Sequence, residues 1–353
     1  MKETDRRVRS GWRAAMIAGL AVLVGGCDTE DGLETPRARG DRAFARADYE
    51  DALAEYRLYM REDPGIDATL RTAHTYAILG RVDEARVLYD EAVREDSTHA
   101  EQAVSDFVSR AREAFAAGDQ YGGASAMETA ALFRPGIVVE DLVLPMARHY
   151  SNSGQHTRAQ PLYLRVLGSQ RRDPDIVLEA ALAHQEIGDC ERALEFFDEF
   201  IELARRRERE TRWYVGSCAF QLAQEHIAQP AFQEALARAA AERADTVGSE
   251  LSSEPPIPET GVQEVADDAD AEDILGQVLG YLDLVLELEE PRTTLPQAYF
   301  EKADILARLG ECDAAVAAYG MVAVVDVSGS GTLARQARQR VDQIRFAGGD
   351  GPC

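Results

Sequence analysis

Lysine is all but missing from this chain of 353 residues: Lys2 and Lys302 are the only two, and arginine supplies the rest of its 38 basic groups, a mark of genomic composition. Basic groups as a whole are also short, since 63 acidic residues leave a formal charge of −25. A field of that sign repels phosphate backbones and anionic headgroups, which disfavours nucleic-acid binding and electrostatic adsorption to membranes as primary functions. The charge is spread along the chain rather than gathered in one block, as on a solvated acidic surface. Only 13 prolines and 27 glycines accompany 45% apolar residues, which excludes a wholly disordered polymer and permits a sizeable core.

The usual carriers of chemistry are absent as well. The chain has no H-E-x-x-H, no G-x-x-x-x-G-K phosphate loop and no G-x-S-x-G elbow. His74, His99, His149, His156, His184 and His226 are scattered without metal-ligand spacing, and the cysteines form no C-x-x-C. No catalytic residue, metal, cofactor or small-molecule substrate is therefore assigned, and a non-enzymatic role is expected.

One apolar run stands directly behind a basic cluster, at the start of the sequence. Lys2, Arg6, Arg7, Arg9 and Arg13 precede an apolar stretch from Ala14 to Gly26, which closes as Leu23-Val24-Gly25-Gly26-Cys27. Thirteen helical residues rise only about 20 Å, short of the ~30 Å hydrocarbon core, so the segment reads as a cleaved signal peptide rather than a span. Its end resembles the bacterial lipobox, which implies cleavage before Cys27 and acylation of its sulfur. Two or three acyl chains, at about 0.8 kcal/mol per buried methylene, would hold the protein on a membrane almost permanently. The expected location is the bacterial cell envelope, either on the outer side of the inner membrane or in the outer membrane facing the periplasm. Removing residues 1–26 takes away five basic and two acidic groups and makes the mature chain still more acidic, at −28.

The body of the sequence is organised by a pattern recurring every 33 to 38 residues. Ala47–Ala52, Gly80–Ala85 and Gly188–Ala193 each run from a turn residue through polar filler to alanine, and looser copies start at Gly118, Gly154 and Gly310. Four residues after the alanine position stands a large side chain: Tyr56, Tyr89, Met127, Tyr163, Phe197 or Tyr319. Seven residues before the glycine stands a small one: Ala73, Ala111, Ala147, Ala181 or Ala303. This is a helical hairpin in sequence form. Glycine ends the first helix, a polar residue starts the second, alanines let the helices approach, and the large side chain fills the gap to the next hairpin. Pro64, Pro135 and Pro174 fall where a helix must stop between hairpins.

These residues resemble the tetratricopeptide repeat family over roughly residues 34–225 and 272–347. The resemblance implies an all-α superhelix, a solenoid of about six to seven helical hairpins with a C-terminal capping helix. The expected division is signal peptide 1–26, lipidated tether 27–37, solenoid 38–247, acidic flexible insertion 248–271, further hairpins and cap 272–347, and tail 348–353. The insertion is marked by Pro255, Pro256, Pro258 and a run of acidic residues. A linker to a separate domain is the alternative, but an insertion within one solenoid is favoured because the helix beginning at Pro296 again follows the repeat pattern, and Asp273–Glu289 then offers a delayed second helix for the sixth hairpin. In that family the first helices line a concave groove. The groove positions map to Arg112, Phe115, Leu144, Arg148, Asn152, Trp213, Phe220, Phe300 and Arg308, with Trp213 the strongest candidate because tryptophan and arginine dominate binding hot spots. The Lys and Asn clamp with which chaperone-binding relatives grip a terminal carboxylate has no counterpart here.

With Cys27 acylated, four cysteines remain and three pairings are open. Cys190 and Cys312 both stand two residues after a turn glycine, and each has one cysteine downstream, so the repeat position favours Cys190–Cys218 and Cys312–Cys353. The layout as a whole is similar to the helical-repeat lipoproteins of outer-membrane β-barrel assembly, which implies a scaffold for envelope proteins or peptides. A second reading is a periplasmic coordinator of cell-wall synthesis or division; an enzyme is a third, with no residue to support it.

Overall fold

A computed structural model describes residues 34–169, 172–251, 264–326, 331–346 and 353. The expected signal peptide, Cys27 with its expected lipidation, and the tail apart from Cys353 lie outside the described residues. So do residues 252–263 of the acidic insertion.

The described chain is all helical, without a strand among those residues. Five consecutive hairpins come first: α1 (Pro36–Ala45) with α2 (Tyr49–Glu62), α3 (Ile66–Ile78) with α4 (Val82–Glu95), α5 (Ala100–Ala116) with α6 (Gln120–Phe133), α7 (Glu140–Asn152) with α8 (His156–Ser169), and α9 (Pro174–Glu186) with α10 (Cys190–Leu203). A short 3-10 turn, Arg205–Glu210, leads to α11 (Arg212–Ile227). The main partner of α11 is not the next helix, α12 (Pro230–Leu251), but α13 (Glu264–Leu288). The sixth hairpin is thus closed by the delayed helix, and α12 packs beside α13 and α14 (Leu295–Arg308). A final hairpin joins α14 to α15 (Cys312–Val325), and α16 (Thr332–Phe346) caps it.

Two boundaries differ from the expected ones. Helix α1 starts inside the expected tether because Thr35 Oγ1 accepts the Ala38 amide at 3.3 Å, an N-cap with Pro36 at the first helical position. Helices α12 and α13 reach into the expected loop at 248–271 from both sides, so polar composition there ended neither helix.

The repeat signal has a direct physical origin. The turn glycines Gly80, Gly118, Gly154, Gly188 and Gly310 all have φ between +72° and +82°, a left-handed conformation that costs a residue with Cβ about 1–2 kcal/mol. The first hairpin has Ala47 in that place, at φ +60°. Asp119 and Asp189 then cap the second helices by accepting backbone amides of Gly122 and Arg192. Ala73, Ala111, Ala147, Ala181 and Ala303 are completely buried between helices, as are Ala52, Ala85, Ala159, Ala193 and Ala315. The large residues Tyr56, Tyr89, Tyr163, Phe197 and Tyr319 are buried beside them. A buried phenol needs an acceptor, and first-helix carboxylates supply it: Tyr56 donates to Asp41 at 2.7 Å, Tyr319 to Asp304 at 3.2 Å, and Tyr89 to Asp106 of the following hairpin.

Two disulfides tie the second half together. Cys190 is joined to Cys218, linking the start of α10 to α11, and Cys312 to Cys353, linking α15 to the end of the chain; their Cα atoms are 5.0 and 5.5 Å apart. Repeat position singled out these same pairs.

Candidate protein-docking site

The groove candidates on the first helices are largely engaged with neighbouring hairpins. Arg112 of α5 makes a two-pronged pair with Asp141 of α7, at 2.7 and 3.1 Å. Arg148 of α7 grips Glu179 of α9 at 2.9 Å, and the row continues with Arg71–Asp41 at 2.5 Å, His74–Asp106 at 2.6 Å and Arg207–Asp175 at 2.5 Å. Charge neighbours have chemical consequences at both ends: hydrogen bonds from Arg112 hold the Asp141 carboxyl below its ordinary range, while Asp141 raises the Arg112 guanidinium. The row is a ladder between successive hairpins, so these arginines order the solenoid before they can offer anything to a ligand.

The aromatic candidates are packed as well. Phe115 lies against Gly123, which takes the place of the usual alanine in α6; a Cβ there would sit 2.7 Å from the Phe115 ring. Phe300 meets Tyr319 of its own hairpin edge-on at 5.4 Å, and Phe220 packs on the core around α11 and α13. Phe115, Phe220 and Phe300 thus take part in hairpin packing while staying partly exposed. Asn152 is exposed and donates to Gln120 Oε1 at 3.3 Å. Arg308 reaches Gln233 of α12 at 3.0 Å, while Leu144 is half-buried against the core. Trp213 alone stands out, 49% exposed at the start of α11.

A larger concave feature lies away from these positions. Between α6, the 134–139 turn, α7 and α8 opens an apolar cleft of about 690 Å³. Met127 and Leu132 come from α6, Val138 and Val139 from the turn, Leu142 and Met146 from α7, and Leu162 from α8. Leu132 is 66% and Val138 47% exposed, an uncovered apolar surface of the kind that marks interaction sites. The rim is polar and locked. Arg158 lies over the Tyr150 ring at 3.9 Å and binds Glu128 at 2.8 Å, Tyr150 donates to the same carboxylate at 2.9 Å, and Arg165 pairs with Glu140 at 2.5 Å. Burial, with help from Glu128, pushes the Tyr150 phenol well up, so it stays a neutral donor. An apolar floor with a charge-balanced rim can take an apolar side-chain row and hydrogen-bond the backbone beside it. The family's groove positions pass over this cleft, yet it has a visible signal. Ile137-Val138-Val139 follows Pro135-Gly136 in an inter-hairpin turn, where the other turns, such as Asp63-Pro64-Gly65 and Arg172-Asp173-Pro174, are polar.

The remaining residues of catalytic type do other work. His184 is buried and its Nδ1 lies 2.8 Å from Asp189, so it braces a helix cap. Among the described residues no three potential metal ligands come together, and no helix there is long and apolar enough to cross a membrane.

No protein-family model matches this chain, and no curated protein matches it. Similar solved structures include the MamA protein, 19% identical, covering 49% of this chain and 91% of that one at a TM-score of 0.31. A tetratricopeptide repeat protein from Parabacteroides merdae is 11% identical, with 88% and 97% covered and a TM-score of 0.29. The C-terminal part of a TPR repeat-containing protein from Cytophaga hutchinsonii is 13% identical, with 84% and 97% covered and a TM-score of 0.32. Superpositions this loose bear on no ligand or partner. The hairpins turning at Gly80, Gly154, Gly188 and Gly310 share a left-handed turn residue, buried alanines on both helices and a buried large side chain one helical turn further on, the arrangement of a tetratricopeptide-type fold.

Proposed function

We propose that this protein is a cell-envelope interaction scaffold, tethered to a membrane by lipid on Cys27, that docks a partner protein through the apolar cleft between α6, α7 and α8. The uncovered Leu132 and Val138 over that cleft carry the reading, because leaving large aliphatic side chains in water has a cost that partner binding would remove, about 25 cal/mol per Å². The partner contributes an amphipathic segment whose apolar side chains fill the cleft. Partners in outer-membrane protein assembly come first, given the lipobox and the repeat layout; cell-wall synthases are the second class.

A photo-crosslinking residue at position 131, which also lines the cleft, should capture one or a few envelope proteins in cells. Leu132→Asp combined with Val138→Asp should abolish capture while leaving helical content and thermal stability unchanged. Equal capture by the double variant would sink the cleft assignment. Barrel-assembly or peptidoglycan-synthesis proteins among the crosslinked species separate the two partner classes. For the tether, Cys27→Ala should release the protein from membranes, and retention of a membrane-bound variant would remove that part of the reading.

A further inference from the structure

The turn between α10 and α11 is basic in a chain that is acidic overall. Residues 205–213 hold Arg205, Arg206, Arg207, Arg209 and Arg212 against Glu208 and Glu210, within a total charge of −25. Arg207 is occupied by Asp175 and Glu210, and Arg212 approaches Glu208 only at 3.5 Å. Arg205, Arg206 and Arg209 are exposed and have no ion-pair partner among the described residues. Arg209 and Arg212 line a cavity of about 290 Å³ together with Trp213, Leu288 and Arg292. The Arg212 Nε is buried with no acceptor in reach, a donor left without the hydrogen bond that burial calls for. Trp213 is held for contact rather than loose: it meets Tyr214 edge-on at 5.2 Å, and Tyr214 stacks at 6.0 Å on the fully buried Phe197.

We infer that this cavity docks an acidic peptide segment of a partner protein, with an apolar or aromatic side chain laid on Trp213 and carboxylates turned toward Arg209 and Arg212. Guanidinium forks match carboxylates in pairs of charge-assisted bonds, and a rigid tryptophan beside them supplies apolar area at little entropic cost. Glu289 and Glu290 form the opposite wall, with Glu290 lying 3.9 Å from Arg292, so they orient the occupant by repelling carboxylates toward the arginine side. At physiological salt, charges are screened beyond about 8 Å, so a short acidic segment senses the arginines and little of the remaining surface. A long polyanion meets the whole negative field. The chain's own acidic run Asp267–Asp273 begins at the far end of α13, with Asp273 about 22 Å along the helix from Leu288, which leaves the occupant to another molecule.

The test uses the full chain with Trp12→Phe, in which Trp213 is the only tryptophan and its fluorescence reports on the site alone. Titration with a blocked peptide of a phenylalanine flanked by two glutamates and two aspartates should give a saturable change. Arg209→Ala with Arg212→Ala should weaken it at least about tenfold, as loss of charge-assisted bonds requires, and raising salt should weaken it too. The Leu132→Asp, Val138→Asp variant should bind the peptide unchanged, which keeps this site distinct from the cleft. Several results would overturn the assignment: no response to the acidic peptide, an equal response to its lysine-flanked counterpart, an undiminished response in the double arginine variant, or tighter binding of a DNA duplex. A fluorescence change on raising protein concentration alone would also overturn it, by naming a second copy as the occupant.

Discussion

Gly216 sits in α11 where the 288–292 turn crosses over it, and a Cβ added there would lie 1.9 Å from the Glu290 carbonyl oxygen and 2.8 Å from its carbon. Both are backbone atoms, so no rotamer change relieves the contact, and the turn must move by more than an ångström. Two effects compete in Gly216→Ala. Helix propensity favours alanine by about 1 kcal/mol, whereas forcing a methyl into a filled site costs about 1–3 kcal/mol and here meets main chain. Because the obstacle is main chain, the clash takes the upper part of that range and wins, for a net loss of up to about 2 kcal/mol. Internal controls isolate it: Gly280 in α13 and Gly320 in α15 have nothing within 4 Å of a built Cβ, so the same substitution there should raise stability by up to about 1 kcal/mol. Urea unfolding of the three variants, with disulfides intact, gives the comparison. Hairpins of a solenoid contact only their neighbours and can unfold in parts, so Trp213 fluorescence should be followed alongside circular dichroism. The local midpoint near Trp213 should fall most in Gly216→Ala. If that variant is stabilised as much as Gly280→Ala, the turn does not lie on α11 as described.

The left-handed Ala47 predicts that Ala47→Gly raises stability by about 0.5–1 kcal/mol, since relief of Cβ strain exceeds the added chain entropy; a fall in the unfolding midpoint would contradict the turn geometry. Burial, assisted by Asp41, raises the Tyr56 phenol to about 12, and burial raises Tyr89, Tyr150, Tyr163 and Tyr319 as well. Their folded values exceed the unfolded one near 10, so this stabilisation is complete below about pH 10 and is lost as pH rises through the folded values. Ultraviolet titration should show a late tyrosine class that ionises with unfolding, and Tyr56→Phe should shallow the loss of stability between about pH 10 and 12. Cys190 and Cys218 are buried whereas Cys312 and Cys353 are partly exposed, so a dithiol reductant should open Cys312–Cys353 first; alkylation mapping that finds Cys190 labelled first would refute this.

The hairpins were legible because each signal acts within a few residues of itself. A turn glycine needs positive φ whatever surrounds it, and an alanine followed one turn later by a tyrosine marks the same face of a single helix. Even the cysteine pairs follow, since Cys190 and Cys312 hold the same place in their hairpins and each is joined to the one cysteine downstream of it. The roles of Arg112 and Arg148 were not legible in that way. Their partners stand 29 and 31 residues on, a little under one repeat, and only the lateral register of neighbouring first helices brings arginine opposite carboxylate. Opposite charges recurring at that spacing were the available clue.

Local chemistry therefore determined that this chain builds paired helices, where each pair turns, and which side chains fill them. How the pairs lean on one another decided the rest. That packing turned the expected binding arginines into a ladder between hairpins, closed the sixth hairpin with α13 instead of α12, and left Leu132, Val138 and Trp213 in water. The division follows from reach: backbone conformation and one-turn contacts are settled within a segment, whereas exposure depends on which neighbour arrives to cover a surface.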